Sequence, residues 1–293
     1  MYKKFILQDN ACEAWAMAIK YCDYILAGKI TLLNRKYFVE SLHNAVELFM
    51  KQLMLNKNDY RVATVRRFDN GGEPLKSYLA ANDLNKYFGN IDSEVLKKFY
   101  SIEFNEIIEH HRKIVPEHFV THPSITEQLK LLQKLRNDET HFYIERSSFL
   151  SEEEFRQLYN LMIAFYEILL EYRLLPYWGK PDFEHIRLSF DRTALSSCSY
   201  INLLMQSPYV QKLIKLIDGQ QYWGNPTDSA FSIADCLVNN INELKNEDFD
   251  DLFVYIEMLL EYGKLLIDGG YNEYTDEYGL PYSEPDFFIM IAD

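Results

Sequence analysis

The segment Leu135-Arg136-Asn137-Asp138-Glu139-Thr140-His141-Phe142-Tyr143 joins a permanent cation to a proton carrier within six residues. The guanidinium of Arg136 is a planar fork that suits a phosphate. The imidazole of His141 exchanges a proton near neutral pH. Together they offer what attack by a 2′-hydroxyl on its neighbouring phosphate requires without a metal: a base for the hydroxyl proton and positive charge for the phosphorane. The spacing imposes a condition. Residues five apart on an ideal helix differ by roughly 140° in direction and about 7.5 Å in height, so Arg136 and His141 do not stack, whereas Asn137 and His141, four apart, do. The pair converges only if the helix loosens at its end or if a second copy of the chain supplies one member, a natural arrangement for helices packed about a two-fold axis.

Other chemistry-bearing residues are less ordered. His110, His111, His118, His122 and His141 are five of the seven histidines, and Glu106 and Glu109 lie nearby. A metal site among them is weighed and set aside. His110 and His111 diverge by about 100° on a helix, and Pro116 and Pro123 are expected to break the alignment of His118 with His122. Solvated or capping histidines are the expectation, with no metal and no cofactor. Arg66 and Arg67 stand beside the turn Asp69-Asn70-Gly71-Gly72, and with Lys134 they are candidate contacts for an RNA backbone. Lys97, Lys98, Arg112 and Lys113 add possible positive charge, although ordinary surface charge is the better account of each. Gly71-Gly72 is not a phosphate loop, because no Gly-Lys-Ser/Thr follows.

The elements that must position these groups read as helices. Gly and Pro are scarce (11 and 9 in 293 residues), which favours long helices over a many-stranded sandwich. Capping-box spacings open helices at Asn10/Glu13, Ser124/Glu127 and Ser151/Glu154, and Gly28 can stop the first. Phe38, Leu42, Ala45, Val46, Phe49 and Leu53 recur at helical spacing and predict an amphipathic helix over about 36–55. On its other side Glu47 and Lys51 form a weakly favourable pair. Four strong helices result, 11–27, 36–55, 125–142 and 152–174, with an inserted helical segment at about 57–115 that includes a helix over 92–114 ended by Pro116. A boundary falls in Leu174–Asp182, so the expected domains are 1–175 and 176–293. In the second, helices are expected over about 194–206, 208–217, 232–245 and 248–266, followed by an acidic, aromatic, turn-rich end. The fold class is all-α.

Charge separates the two parts. The net charge of −14 argues against nucleic acid, but residues 1–175 hold 23 Lys+Arg against 24 Asp+Glu, while residues 176–293 hold 7 against 20. The front half can still carry a local basic groove, and the acidic back half is unfit to touch RNA. It reads as a solubilising helical domain, with occlusion of the cleft or docking of a regulator as sharper alternatives. Cys12, Cys22, Cys198 and Cys236 form no CxxC pair and read as reduced, mostly buried thiols of a cytoplasmic protein. The N-terminus lacks the apolar length of a secretory leader, and Glu167, Glu171 and Arg173 interrupt the most apolar stretch, so no membrane partner is expected.

Arg136-Asn137 followed by His141 resembles the R-x4-6-H motif of the HEPN superfamily, and its extension to Tyr143 resembles the R-x4-H-x-Y form of HepT-type toxins. Ser41–Leu55 is similar to the early HEPN helix. The resemblance covers about residues 10–175. It implies a four-helix bundle that dimerises so that two motifs share one cleft, and for many members a metal-independent endoribonuclease of toxin–antitoxin, phage-defence or RNA-processing systems. Carried over, Arg136 binds the phosphate, His141 transfers the proton, Asn137 orients one of them, and Tyr143 matches the tyrosine that a nucleotidyltransferase antitoxin AMPylates. The expected partners are a second copy, an RNA substrate such as tRNA or mRNA, and an antitoxin or regulatory protein. Two other readings stand beside this one: a non-catalytic HEPN-like interaction module, and a helical regulatory protein in which the motif is coincidence.

Overall fold

The computed structural model describes residues 6–65, 72–140, 149–175, 199–217, 221–223, 230–245, 249–275 and 278–291. The chain divides into two compact units. The first is Met1–Cys22, Lys36–Tyr143 and Leu150–Arg192; the second is Asp23–Arg35, Ile144–Phe149 and Thr193–Asp293. The class is all-α, with thirteen α-helices among the described residues and a few strands.

Most of α1 (Ile6–Leu26) and of α2 (Leu32–Asn56) belongs to the first unit, and the two precede an inserted region. That region holds β1 (Ala63–Val65), α3 (Glu73–Leu79), α4 (Leu84–Asn90), α5 (Ser93–Leu96), β2 (Phe99–Ser101) and α6 (Phe104–Ile114). Then come α7 (Pro116–Thr121), α8 (Ile125–Thr140) and α9 (Glu152–Glu171). The periodic residues of α2 all face inward: Phe38, Leu42, Ala45, Val46, Phe49 and Leu53 are buried. Phe165 of α9 meets Trp15 of α1 and Phe49 of α2, with ring centroids 6.1 and 6.3 Å apart, and Phe155 of α9 meets Phe38 of α2 edge-on. Burying such rings supplies most of the stabilisation that helix propensity alone lacks. The Ser151/Glu154 capping box that opens α9 is formed in both directions. Glu47 and Lys51 pair as expected, yet Lys51 is buried and also donates to Ser101 Oγ at 3.0 Å, so the pair ties α2 to β2 instead of lying on a solvated face.

The helix expected over 92–114 is three elements. β2 pairs antiparallel with β1, Ala63 opposite Ser101, and α6 starts afresh where Glu103 N–H donates to Glu106 Oε2 at 3.1 Å. Strand pairing and a second N-cap override a helical pattern that is continuous in sequence. Tyr60, Tyr78, Tyr87, Phe88 and Phe99 form an aromatic cluster around Tyr78, whose hydroxyl donates to Tyr60 O and whose pKa burial pushes up to about 12.

The second unit contains α10 (Tyr200–Gln206), α11 (Pro208–Ile217), β3 (Gln221–Trp223), α12 (Ala230–Asn240), α13 (Phe249–Glu261), β4 (Leu265–Thr275) and β5 (Pro281–Ile291). The helices expected in the acidic part are present as α10 to α13, but its turn-rich end pairs into strands. α13 stops at Glu261, and the aromatic end forms an antiparallel hairpin, Leu265 opposite Ile291 and Thr275 opposite Pro281, within a sheet ordered β3-β5-β4. Gly28, with φ +77°, closes α1, and a Cβ there would stand 2.3 Å from Leu203 O, so the stop is also a close-packing point. Arg35 is buried, and its Nη1 donates to Phe149 O at 2.5 Å. Burial pushes its pKa down, against the pull of Tyr200, Glu257 and Glu261.

Cys12 and Cys22 are buried, and Cys236 is half-buried. Burial, with Asp9 and Glu13 adding negative charge, pushes the Cys12 thiol up to about 12 and keeps it protonated. Among the described residues no helix is long and apolar enough to cross a membrane.

Candidate functional site

Arg136 stands near the C-terminal end of α8, a helix fixed by its apolar side: Ile125, Leu129, Leu132 and Leu135 are all buried. Arg136 and Lys134 point away from that side and are exposed. Asn137 is half-buried, and its Oδ1 accepts a 3.1 Å hydrogen bond from Gln133 Nε2 one turn earlier. Gln133 Oε1 in turn lies 2.8 Å from Nε2 of His43, on the facing side of α2. Because the Gln133 amide nitrogen serves Asn137, its oxygen takes the proton of His43 Nε2, and the chain His43–Gln133–Asn137 runs in one direction.

His43 itself is buried, with its ring 4.2 Å from that of Phe104 and its Nδ1 3.7 Å from Glu47 Oε2. Burial pushes its pKa below the usual histidine value. The Arg136 charge acts the same way, while Gln133 and Glu47 pull against it. His43 therefore sits as a neutral ring that fixes the polar side of α8. In sequence a lone histidine on an apolar helix face looks like core, so nothing there singles His43 out. His141, Tyr143, Arg66 and Arg67 lie outside the described residues.

A second polar cluster brings together His118 and His122, the histidines whose alignment the prolines were expected to break. His118 on α7 and Glu171 on α9 are joined at 2.7 Å, Nε2 to Oε2; His122 and Glu167 are joined the same way at 2.8 Å. The two imidazole rings are 6.2 Å apart and within 8° of parallel. The prolines do not scatter these histidines. Pro116 occupies the first turn of α7, where a missing N–H costs nothing, and Pro123 follows His122, which already caps the helix. The i, i+4 spacing of His118 and His122 therefore survives and faces the i, i+4 pair Glu167 and Glu171. In sequence those glutamates read only as interruptions of an apolar stretch. Ligand atoms of His118, His122 and Glu167 all lie within 4.8 Å of one another. Beside them Tyr172 donates to Glu117 Oε2 at 2.9 Å, and Lys57 Nζ lies 4.4 Å from the Tyr172 ring centroid while donating to Ile114 O.

His110 and His111 diverge as expected. His111 is buried, with Nδ1 2.9 Å from Ile108 O and Nε2 3.2 Å from Thr126 Oγ1, and so ties α6 to α8. Glu106 is engaged in capping α6. In comparisons with known proteins, no protein-family model matches this chain, and neither the curated proteins nor the solved structures give a match.

Proposed function

We propose that this chain is a HEPN-type endoribonuclease that cuts RNA without a metal ion, acting in the cytoplasm as a toxin or anti-phage effector. The observation that supports this reading is the contrast along α8: Leu132 and Leu135 are used for packing and Asn137 for a hydrogen-bonded chain, while Arg136 is left exposed. An exposed guanidinium on a rigid, internally anchored helix end is placed to receive a phosphate.

In the proposed reaction Arg136 binds the scissile phosphate and offsets the charge that builds on it. His141 takes the 2′-hydroxyl proton as the new P–O bond forms. The 5′-oxygen leaves with a proton returned by an imidazolium, and the product keeps a 2′,3′-cyclic phosphate. Simultaneous removal and return of protons takes two proton-transfer groups, and a homodimeric site would supply them as two copies of His141. Asn137 orients the arriving phosphate or His141. Lys134, Arg66 and Arg67 would follow the RNA backbone, and Tyr143 would be the residue that an antitoxin modifies.

The test is cleavage of total RNA and purified tRNA in EDTA by the wild type, Arg136→Ala and His141→Ala, with mass by gel filtration and fold by circular dichroism. Loss of at least about 100-fold in both folded, dimeric variants supports the assignment. Absence of cleavage by the wild type, together with an intact dimer, would replace the enzyme by a non-catalytic HEPN-like interaction module.

A further inference from the structure

The geometry points to a divalent transition-metal site, of the zinc class, formed by His118, His122 and Glu167, with Glu171 as the fourth ligand. It is independent of the ribonuclease reading, because it uses α7 and α9 and none of the residues assigned to RNA.

The ladder of two histidines against two glutamates is built from both sides. His118 and His122 present their Nε2 atoms toward α9, and Glu167 and Glu171 present carboxylate oxygens toward α7, at 2.8 and 2.7 Å. Zinc binds imidazole nitrogen and carboxylate oxygen at about 2.0–2.2 Å in tetrahedral geometry, which sets its ligands roughly 3.4 Å apart. The ligand atoms of His118, His122 and Glu167 already lie within 4.8 Å of one another, and rotamer adjustments of Glu167 and Glu171, the flexible side chains, close the shell.

Ligand type selects the metal. Two imidazoles are poor ligands for Mg2+ or Ca2+, which take oxygen, and good ones for Zn2+ and Co2+. Charge balances too, since two carboxylates offset the two positive charges of the ion. Coordination through Nε2 leaves each imidazole neutral with its proton on Nδ1, and the ion takes the place of the two hydrogen bonds. The Nδ1 of His118 is buried with no hydrogen-bond partner, so its contact to Glu171 is the polar interaction that orients this ring. The side chains grade from buried His118 (7% exposed) through His122 (25%) and Glu167 (35%) to Glu171 (50%), which gives the ion a route from solvent. A closed four-ligand shell holds α7 to α9, a structural function.

The experiment is titration of the chelator-stripped full-length chain with Zn2+ by calorimetry, and with Co2+ by visible absorption, without RNA. We expect one Zn2+ per chain, an intense tetrahedral Co2+ spectrum that Zn2+ displaces, and a higher Tm with the ion bound. His122→Ala and Glu167→Gln should each weaken binding at least about 10-fold, and Glu171→Gln less than either, while His110→Ala leaves it unchanged. Glu167→Gln preserves size at a half-exposed position, so it reports even if a histidine variant misfolds. Absence of saturable binding by the wild type overturns the proposal. So does affinity that survives both His122→Ala and Glu167→Gln, or a Co2+ spectrum of octahedral type.

Discussion

Arg136 and His118 belong to the same unit, and their surroundings treat charge in opposite ways. Around Arg136 the polar groups are aligned beside the cation: Asn137, Gln133 and a neutral His43 form a chain that ends in the core, and the guanidinium remains exposed. Around His118 two histidines are matched to two glutamates across a helix pair. The first arrangement leaves charge available to a ligand that brings its own negative charge. The second presents donors to a small cation or satisfies itself. A surface can thus prepare for a polyanion by withholding partners, and for a metal by supplying them.

That contrast can be broken by mutation. The largest effect is expected at the packing that holds α8. Leu132→Ala empties a fully buried position and should cost about 2–5 kcal/mol in urea unfolding. A value under 1 kcal/mol would mean that α8 does not depend on its apolar face. Next is Gln133→Leu, which removes the link between His43 and Asn137 and leaves a buried imidazole N–H without an acceptor. The expected loss is about 1–3 kcal/mol, with cleavage reduced through misplacement of Asn137. A stable variant with normal cleavage would show that the chain has no positioning function. Smaller still is Glu171→Gln without metal. This pair is half-exposed on the carboxylate side, and about 1 kcal/mol or less should be lost. A larger loss would indicate that the ladder, and not the apolar core, joins α7 to α9.

Much of this architecture was legible. The periodicity of Phe38 to Leu53, the Ser151/Glu154 box and the order of the four long helices all rest on local rules of spacing and capping, and the structure follows them. What was not legible depends on partners distant in sequence. β1 and β2 are three residues each and acquire strand character only by pairing. The hairpin of β4 and β5 was hidden among acidic residues and turn formers, although its tyrosines and phenylalanines favour strands, and the turn between the strands contains Gly279 with φ +78°. The His–Glu ladder was missed for a related reason. Each half has an i, i+4 spacing that is visible, but the halves lie 45 and 53 residues apart, and nothing in the sequence sets one against the other.

His43 offers the finest test of the first arrangement, through pH. Its pKa is lower in the folded chain than the ordinary 6.5, chiefly because of burial. His111 is shifted in the same direction by burial. Below pH 6.5 the unfolded chain takes up protons at these two positions while the folded chain resists. Their contribution to stability is therefore complete above pH 6.5, falls as pH drops through 6.5 toward the folded pKa values, and levels off below them. Urea unfolding at pH 7.5 and pH 5.5 should show the wild type less stable at the lower pH. His43→Gln, which keeps a hydrogen-bonding side chain and removes the titration, should lose less between the two pH values than the wild type does. Asp59, held below the usual carboxylate range chiefly by the side-chain hydrogen bond from Arg61, affects only more acidic solutions and does not confuse the comparison. If His43→Gln falls as steeply as the wild type, burial does not shift the ring; if it falls more steeply, the ring beside Arg136 holds its proton more tightly than a free imidazole does. The Arg136 region would then hold a second positive charge, and its site would be more cationic than the buried, neutral histidine described above allows.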